Sequence, residues 1–327
     1  MSRISRYAGV LPRLTCLLAL LLPAVAAQAQ NYPNKVVRYI ITDAAGAGTD
    51  VLGRIIAEGL SSLYGQQVIV DNRPGAGGNL GADLAAHAPA DGYTMLQIAT
   101  THAVNATLYK TLGYDLVRDF TPVAQIASGP SIMVVPATSP AKTVGEFVKY
   151  AKSKAGELTY ASAGSGTCSF LAGELFRRQT GLDMTHIAYK GGPPAVTAVM
   201  SGEVSVYFAP LSAVMQQIGQ GRLRALGVTS PQRLSFLPDQ PTVAENGAPG
   251  YQFSCWYGLM VPAKTPPAVV ETIHASLLKV LATPAVQKKL TDLGYIAVGD
   301  KPAAFAAHIK AQIEAIRPIA KDLPQPQ

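Results

Sequence analysis

The chain lacks the signatures of nucleotide, metal and hydrolytic chemistry. Gly46-Ala47-Gly48 reaches Val51 where a dinucleotide fingerprint needs a third glycine, and Gly75-Ala76-Gly77 reaches Leu80, so neither loop is a pyrophosphate cradle. No Gly-Lys pair opens a phosphate loop, and no kinase set is present. The histidines, His87, His102, His186, His274 and His308, make no His-x-His or His-x-x-x-His pair, so a metal site would need assembly by folding alone. Ser165 has a glycine on each side, but the esterase nucleophile elbow needs glycines two residues away, where Ala163 and Thr167 stand. The expectation is a chain without cofactor, metal or catalytic residues.

Charge is also sparse. Only 14% of residues are charged, and the formal excess of +7 contains no Lys/Arg run. With no basic stripe carrying interleaved aromatics, nucleic acid is not an expected partner. A mild positive balance suits small anions.

Beyond the N-terminus there is no apolar run long enough to cross a bilayer. Leu17 to Ala27 is short and holds Pro23; Arg3, Arg6 and Arg13 precede it and Ala27-Gln28-Ala29 closes it. That is the pattern of a signal peptide over residues 1–29, cut after Ala29, and it predicts export to the periplasm. Cys16 follows Thr15 at the start of the apolar run, the wrong end for acylation, so the product is expected to be unanchored. About 298 residues and a net charge of about +4 remain, enough for two lobes. Only Cys168 and Cys255 remain as thiols. An oxidising compartment permits their pairing; without a distance, two buried free thiols are the slightly favoured expectation.

What is present is an alternation of strand and helix. Lys35 to Ile41 reads as a β-strand, and Val51, Leu52, Ile55, Ile56 and Leu60 carry a helical period. Further strands are expected at 68–70, 93–99, 132–135, 158–162, 186–189, 204–208 and 226–229, with helices between most of them. Such alternation predicts an α/β fold with parallel sheets covered on both faces. Two loops echo each other at strand ends: Ala45-Gly46-Ala47-Gly48-Thr49 and Ala163-Gly164-Ser165-Gly166-Thr167. Each offers glycines, backbone N–H groups and a threonine at a helix start, which together favour an anion. Ordinary strand-to-helix turns read the same way, but one loop in each lobe would make a clamp.

Three further features each admit two readings. Asp71 to Asn79 is a polar, Gly-rich loop, either functional or a solvent-facing turn in which Asp71 pairs with Arg73. Thr100 to Asn105 can contact a ligand or cap a helix. Cys168 near a helix start is a nucleophile or, more simply, a packing residue.

These segments together resemble the solute receptors of tripartite tricarboxylate transporters, the Bug receptors, from about Tyr32 to Ile313. The resemblance rests on Asp71 to Asn79, Asp91-Gly92-Tyr93-Thr94, Tyr160 to Thr167, Tyr189-Lys190-Gly191-Gly192, Leu237-Pro238-Asp239, Pro241 to Glu245 and Trp256-Tyr257-Gly258-Leu259. It implies a two-lobed periplasmic binding protein of type II-like fold, with two crossover strands at the hinge, matched by 132–135 and 257–261. Lobe one would be 30–133 plus 257–327 and lobe two 134–256. It also implies that a small organic acid, an aliphatic di- or tricarboxylate or an aromatic acid, is held by the two loops and passed to membrane permease subunits. The contacts expected on that basis are Ala45, Gly46, Ala47, Gly48, Thr49, Thr101, Asn105, Ser162, Gly164, Ser165, Gly166, Thr167, Tyr189 and Ala209, in a monomer, with Asp50 fixing the first helix.

Two departures stand out. Asp43 puts a carboxylate in a first loop that is acid-free in relatives; it can reject a second ligand carboxylate, point away, pair with a cation, or accept from an amine or hydroxyl. Ala209-Pro210 stands where relatives often carry an acid or amide that binds an amine. Tyr207, Phe208 and Trp256 either face the cleft, favouring a flat acid, or fill the core. Two other readings are a sensory module with the same pocket, and a secreted hydrolase using Ser165 or Cys168, which the missing triad spacing and the full-length resemblance disfavour.

Overall fold

A computed structural model describes residues 32–109 and 111–320; residues 1–29, expected to be a signal peptide, lie outside the described residues. In chain order the elements are β1 (Val37–Ile41), α1 (Gly48–Tyr64), β2 (Val68–Asn72), α2 (Asn79–Ala86), β3 (Thr94–Ala99), α3 (Thr100–Leu108), β4 (Phe120–Pro136), α4 (Val144–Ser153), β5 (Leu158–Ser162), α5 (Cys168–Thr180) and β6 (Met184–Ala188). They continue with α6 (Gly192–Ser201), β7 (Val206–Pro210), α7 (Leu211–Gly219), β8 (Leu223–Val228), β9 (Ser254–Pro262), α8 (Pro267–Leu281), α9 (Pro284–Asp292), β10 (Ile296–Ala297) and α10 (Pro302–Ala320).

The strands run β2-β1-β3-β9-β4-β7-β5-β6, with β8 and β10 also on β4. β1 pairs in parallel with β2 and β3, and β5 in parallel with β6 and β7. These are the parallel units that strand–helix alternation predicts. Antiparallel pairing by β4 and β9 joins them. Along β4 the partner changes: Phe120 to Pro130 face β9, and from Ser131 onward the strand faces β7 and β8. One strand therefore belongs to both halves of the sheet, and 132–135 is only its second part.

Burial follows from this layering. β1 and β3 are almost wholly buried, as expected for strands covered on both faces. One core of Ile40, Leu96, Met133, Phe147, Phe176, Phe208, Trp256 and Phe305 runs through both halves. Separate cores cover the remaining faces: α1 and α8 on the first half, α6 and α7 on the second. Tyr207, Phe208 and Trp256 are all buried, with 1% exposure at most, so the core reading of these aromatics holds and they offer no flat wall to a ligand.

The thiols pair. Cys168 and Cys255 form a disulfide with Cα atoms 5.9 Å apart, inside the range a bridge requires. This corrects the expectation of two free thiols and removes Cys168 as a nucleophile. The bridge ties the first residue of α5 to β9, at the position where β9 pairs with Gly129 of β4. Among the described residues no single helix is long and apolar enough to cross a membrane.

Candidate functional site

The first loop leaves β1 at Ile41 and enters α1 at Gly48. Its shape is set by Asp50, 1% exposed, whose Oδ2 accepts from Gly46 N at 2.8 Å and Arg54 Nε at 2.9 Å, and whose Oδ1 accepts from Asn72 Nδ2 at 2.9 Å. These donors hold the carboxyl below its usual range despite the burial that opposes it. Asn72 Nδ2 also donates to Asp43 O at 2.9 Å, and Gln97 Nε2 to Thr49 O at 2.8 Å. Residues 44–46 and 48 remain exposed. Gly46 N and Ala47 N are used internally, the latter on Ala44 O at 3.1 Å. The first intrahelical bond runs from Val51 N to Ala47 O, so the amides of Gly48 and Thr49 have no acceptor within the helix. A Cβ at Gly48 would lie 3.0 Å from Tyr295 Oη; the glycine permits that approach.

The Asp71 to Asn79 segment braces this loop. Asp71 pairs with both Arg38 and Arg73, so the predicted Asp71–Arg73 pair exists. Asn105 of α3 donates both amide contacts inward, to Gly77 O at 2.8 Å and Asn79 Oδ1 at 2.9 Å. Its nitrogen is therefore committed to scaffolding rather than to a guest.

The second loop is built differently. Thr167 caps α5 by accepting from Phe170 N at 3.4 Å and donates to Gly164 O at 2.6 Å. Gly164 and Gly166 have φ of 129° and 77°, values that favour glycine. Ser169 Oγ takes Ala163 N at 3.0 Å. Ser162 is fully buried; its hydroxyl accepts from Gly164 N at 3.1 Å and meets His186 Nε2 at 2.7 Å. That serine–histidine pair resembles a nucleophile and base, but a hydroxyl with no exposed surface that already holds its own loop cannot attack a substrate. His186 is packed against Tyr160 and Phe170, and burial pushes its pKa down. Ser165 is exposed. Tyr189 N donates to Ser162 O at 3.0 Å and its hydroxyl to Glu203 at 2.7 Å; burial and the Glu203 carboxylate push that hydroxyl up to about 12. Tyr189 thus props the second loop.

α3 stands between the two loops. A Cβ at Gly166 would be 3.7 Å from Val104, while His102, one helical face away, borders the first loop. Thr100 Oγ1 accepts from Trp256 N at 2.9 Å, and His102 Nδ1 from Ala99 N at 3.1 Å. His102 is 1% exposed, and burial holds its pKa down to about 4 against the opposing pull of Asp43. Thr101 is half-buried on the first turn of this helix. Beside the first loop lie Tyr257 of β9 and Tyr295, edge to face at 5.2 Å. Burial first, then neighbouring charges including Asp43, raises the pKa of both hydroxyls, leaving them as O–H donors at neutral pH.

Of the sequence-predicted contacts, Thr101 and Asn105 stand on α3 and Gly166 lies against it, while Ser162, Gly164, Thr167 and Tyr189 are joined by hydrogen bonds around the second loop. Ala209 is not among them: it is fully buried in the second-half core opposite Ile132, because β7 is covered on both faces. Tyr257 and Tyr295 were not singled out as contacts, and His102 entered only as part of the Thr100 to Asn105 segment. Tyr257 lies in a motif that marked the family without marking a contact, and nothing in the sequence places Tyr295 beside Gly48. A cavity of about 490 Å³ between α5 and α10, lined by Leu171, Leu175, Phe253 and His308 among others, contains none of the predicted contacts.

Comparison with known proteins bears on this arrangement. The family model described as "Tripartite tricarboxylate transporter family receptor" matches residues 52–324. A UPF0065 protein from a Pseudomonas species is 38% identical over 284 residues, 86% of this chain and 84% of its own length. Protein BugT of Bordetella pertussis is 32% identical over 289 residues, covering 87% of this chain and 89% of its own. Among solved structures, a Rhodopseudomonas palustris protein with adipate is 34% identical with a TM-score of 0.76, covering 89% of this chain and 97% of its own. The malate-bound MatC of the same organism is 29% identical with a TM-score of 0.73, covering 88% and 100%.

Proposed function

The chain belongs to the tripartite tricarboxylate transporter receptors, a family of periplasmic binding proteins, and from that premise we propose that it captures a small organic carboxylate for membrane permease subunits of such a transporter. The observation that carries this reading is that two Gly-rich strand-to-helix loops, one from each half of the sheet, border one helix: Gly166 lies against Val104 of α3, and Asp43 of the first loop acts on His102 of the same helix. Each presents first-turn amides at a positive helix end. The adipate and malate in the two related structures have the chemistry that such amides hold.

In this reading residues 1–29 direct export and are cut after Ala29. Lobe one is 30–133 with 257–327, lobe two is 134–256, and β4 and β9 form the hinge. The contacts come from residues 45–49 and 164–167 through the amides that the loops do not use themselves, those of Gly48 and Thr49 among them, from the Ser165 hydroxyl and from Thr101; Asn105, Ser162 and Tyr189 hold the loops in place. Closure of the lobes excludes water and strengthens these polar contacts without bond chemistry. The carrier works as a monomer.

Thermal melting of refolded, ligand-stripped protein against aliphatic and aromatic mono-, di- and tricarboxylates, with neutral controls, tests the proposal. The cognate acid class raises the melting point, by about 2.7 kcal/mol of stabilisation at a hundredfold excess over Kd. No shift with any acid, in a protein shown to be folded and stripped, overturns it.

A further inference from the structure

Gly48 and Gly129 are glycines that the backbone does not require, since neither has a positive φ. What the two positions share is Tyr295. A Cβ at Gly48 would lie 3.0 Å from the Tyr295 hydroxyl oxygen, and a Cβ at Gly129 would lie 3.1 and 3.2 Å from the ring carbons Cε1 and Cδ1. Such separations fall below ordinary van der Waals contact. Two missing side chains therefore make room for one tyrosine. It runs from the place beside which β4 changes partners to the first residue of α1.

The turn that carries Tyr295 is anchored to both halves of the sheet. Gly294 N donates to Thr291 O and Tyr295 N to Leu290 O, each at 2.8 Å. The ring meets Tyr257 of β9 edge to face. A Cβ at Gly294 would be 3.0 Å from Leu211 Cβ, so the turn also rests on the first residue of α7, in the second half.

The hydroxyl ends where the first loop has amides to give. Gly48 N and Thr49 N have no acceptor within the helix. A Cβ lies no more than about 3 Å from the nitrogen of its own residue. The Tyr295 oxygen is therefore within about 6 Å of the Gly48 amide, a gap that the two oxygens of one carboxylate can bridge. Burial keeps the hydroxyl protonated at neutral pH, and its pairing with the Tyr257 hydroxyl uses only one of their two protons. Asp43, the acid of the same loop, is occupied by the Thr49 hydroxyl.

Resting on the receptor reading, we infer that Tyr295 is a further cargo-binding residue, whose hydroxyl joins the free amides of Gly48 and Thr49 in holding the cargo carboxylate. The amides supply charge complementarity; the hydroxyl, set by the two glycines, fixes how the carboxylate is seated against the first loop.

The test is calorimetric titration of the stripped wild type, Tyr295→Phe, Gly48→Ala and the double variant. The probe is whichever of succinate, malate, adipate and benzoate raises the wild-type melting point most. Tyr295→Phe keeps the ring and its packing, so without acid it melts as the wild type does, yet it binds about tenfold or more weakly, as expected for losing a hydrogen bond to a charged group. Gly48→Ala drives the hydroxyl aside and weakens binding by a similar factor. The double variant is no more than about twofold weaker than either, because both changes remove one contact. A crystal structure of the wild-type complex places Tyr295 Oη within about 3.2 Å of a carboxylate oxygen. Wild-type affinity in Tyr295→Phe overturns the inference and leaves the receptor reading standing. Losses that multiply in the double variant do the same, as does a carboxylate seated away from the hydroxyl. Failure of every acid with the folded wild type counts against the receptor reading itself, and the inference falls with it.

Discussion

Single residues in this protein do their work mainly by being held. Asp50 was expected to fix the first helix, and its three donors do so. Asn105 and Tyr189, expected as contacts, turn their polar atoms to the scaffold. For Asn105 the reason is burial: a buried amide needs a partner in the unliganded protein as well as the liganded one. His102 illustrates the cost of a titratable group in that setting. Its native pKa of about 4 lies below the ordinary value of 6.5, so between those values the unfolded chain binds a proton that the folded one refuses. Stability contributed by the neutral imidazole is complete above pH 6.5 and falls as pH drops toward 4, by up to about 3 kcal/mol. His186 and His308 are shifted in the same direction. Melting curves from pH 7.5 to 4 should slope downward on acidification, and His102→Gln should flatten part of that slope.

Elements place the residues, and β9 shows how tightly. A Cβ at Gly258 would lie 1.9 Å from Phe305 Cζ, because the ring of α10 sits directly on the strand backbone. Gly258→Ala must push α10 off β9, and overpacking of this kind costs about 1–3 kcal/mol or more; chemical denaturation of the variant measures it. The N-terminal cap of α5 is a gentler probe. Thr167→Ala removes the hydroxyl that closes the second loop, so a loss of about 1 kcal/mol in stability should come with a larger proportional loss of carboxylate affinity. Equal melting and unchanged affinity would show that the glycines alone shape the loop. At this scale the sequence was readable where period was clean: β1, β3 and β5 stand where their β-branched and aromatic runs put them. The first half of β4 was not, because Pro122, Gln125, Ser128, Gly129 and Pro130 interrupt any alternation. That stretch is a strand because β9 lies beside it, with register shifts between Pro122 and Ala124 and between Gln125 and Ala127.

At the scale of the whole molecule, the disulfide links the second loop's helix to β9, the strand that pairs with β3 on one side and β4 on the other. Its residues are 87 apart in sequence, a separation for which chain entropy gives roughly 4.6 kcal/mol. Reduction, or Cys168→Ser with Cys255→Ser, should lower the melting point by an amount of that order; a thiol titration of the untreated protein should find none free.

The sequence by itself determined the export signal pattern, the α/β alternation, the two Gly-rich loops and the family, because each is a local pattern of residue types. Only the tertiary structure decided that Cys168 meets Cys255, that Ala209 and the aromatics turn inward, and that His102, Tyr257 and Tyr295 gather around Asp43. Those are contacts between segments up to about 250 residues apart, and no local pattern records which distant segment the packing of a sheet will bring alongside.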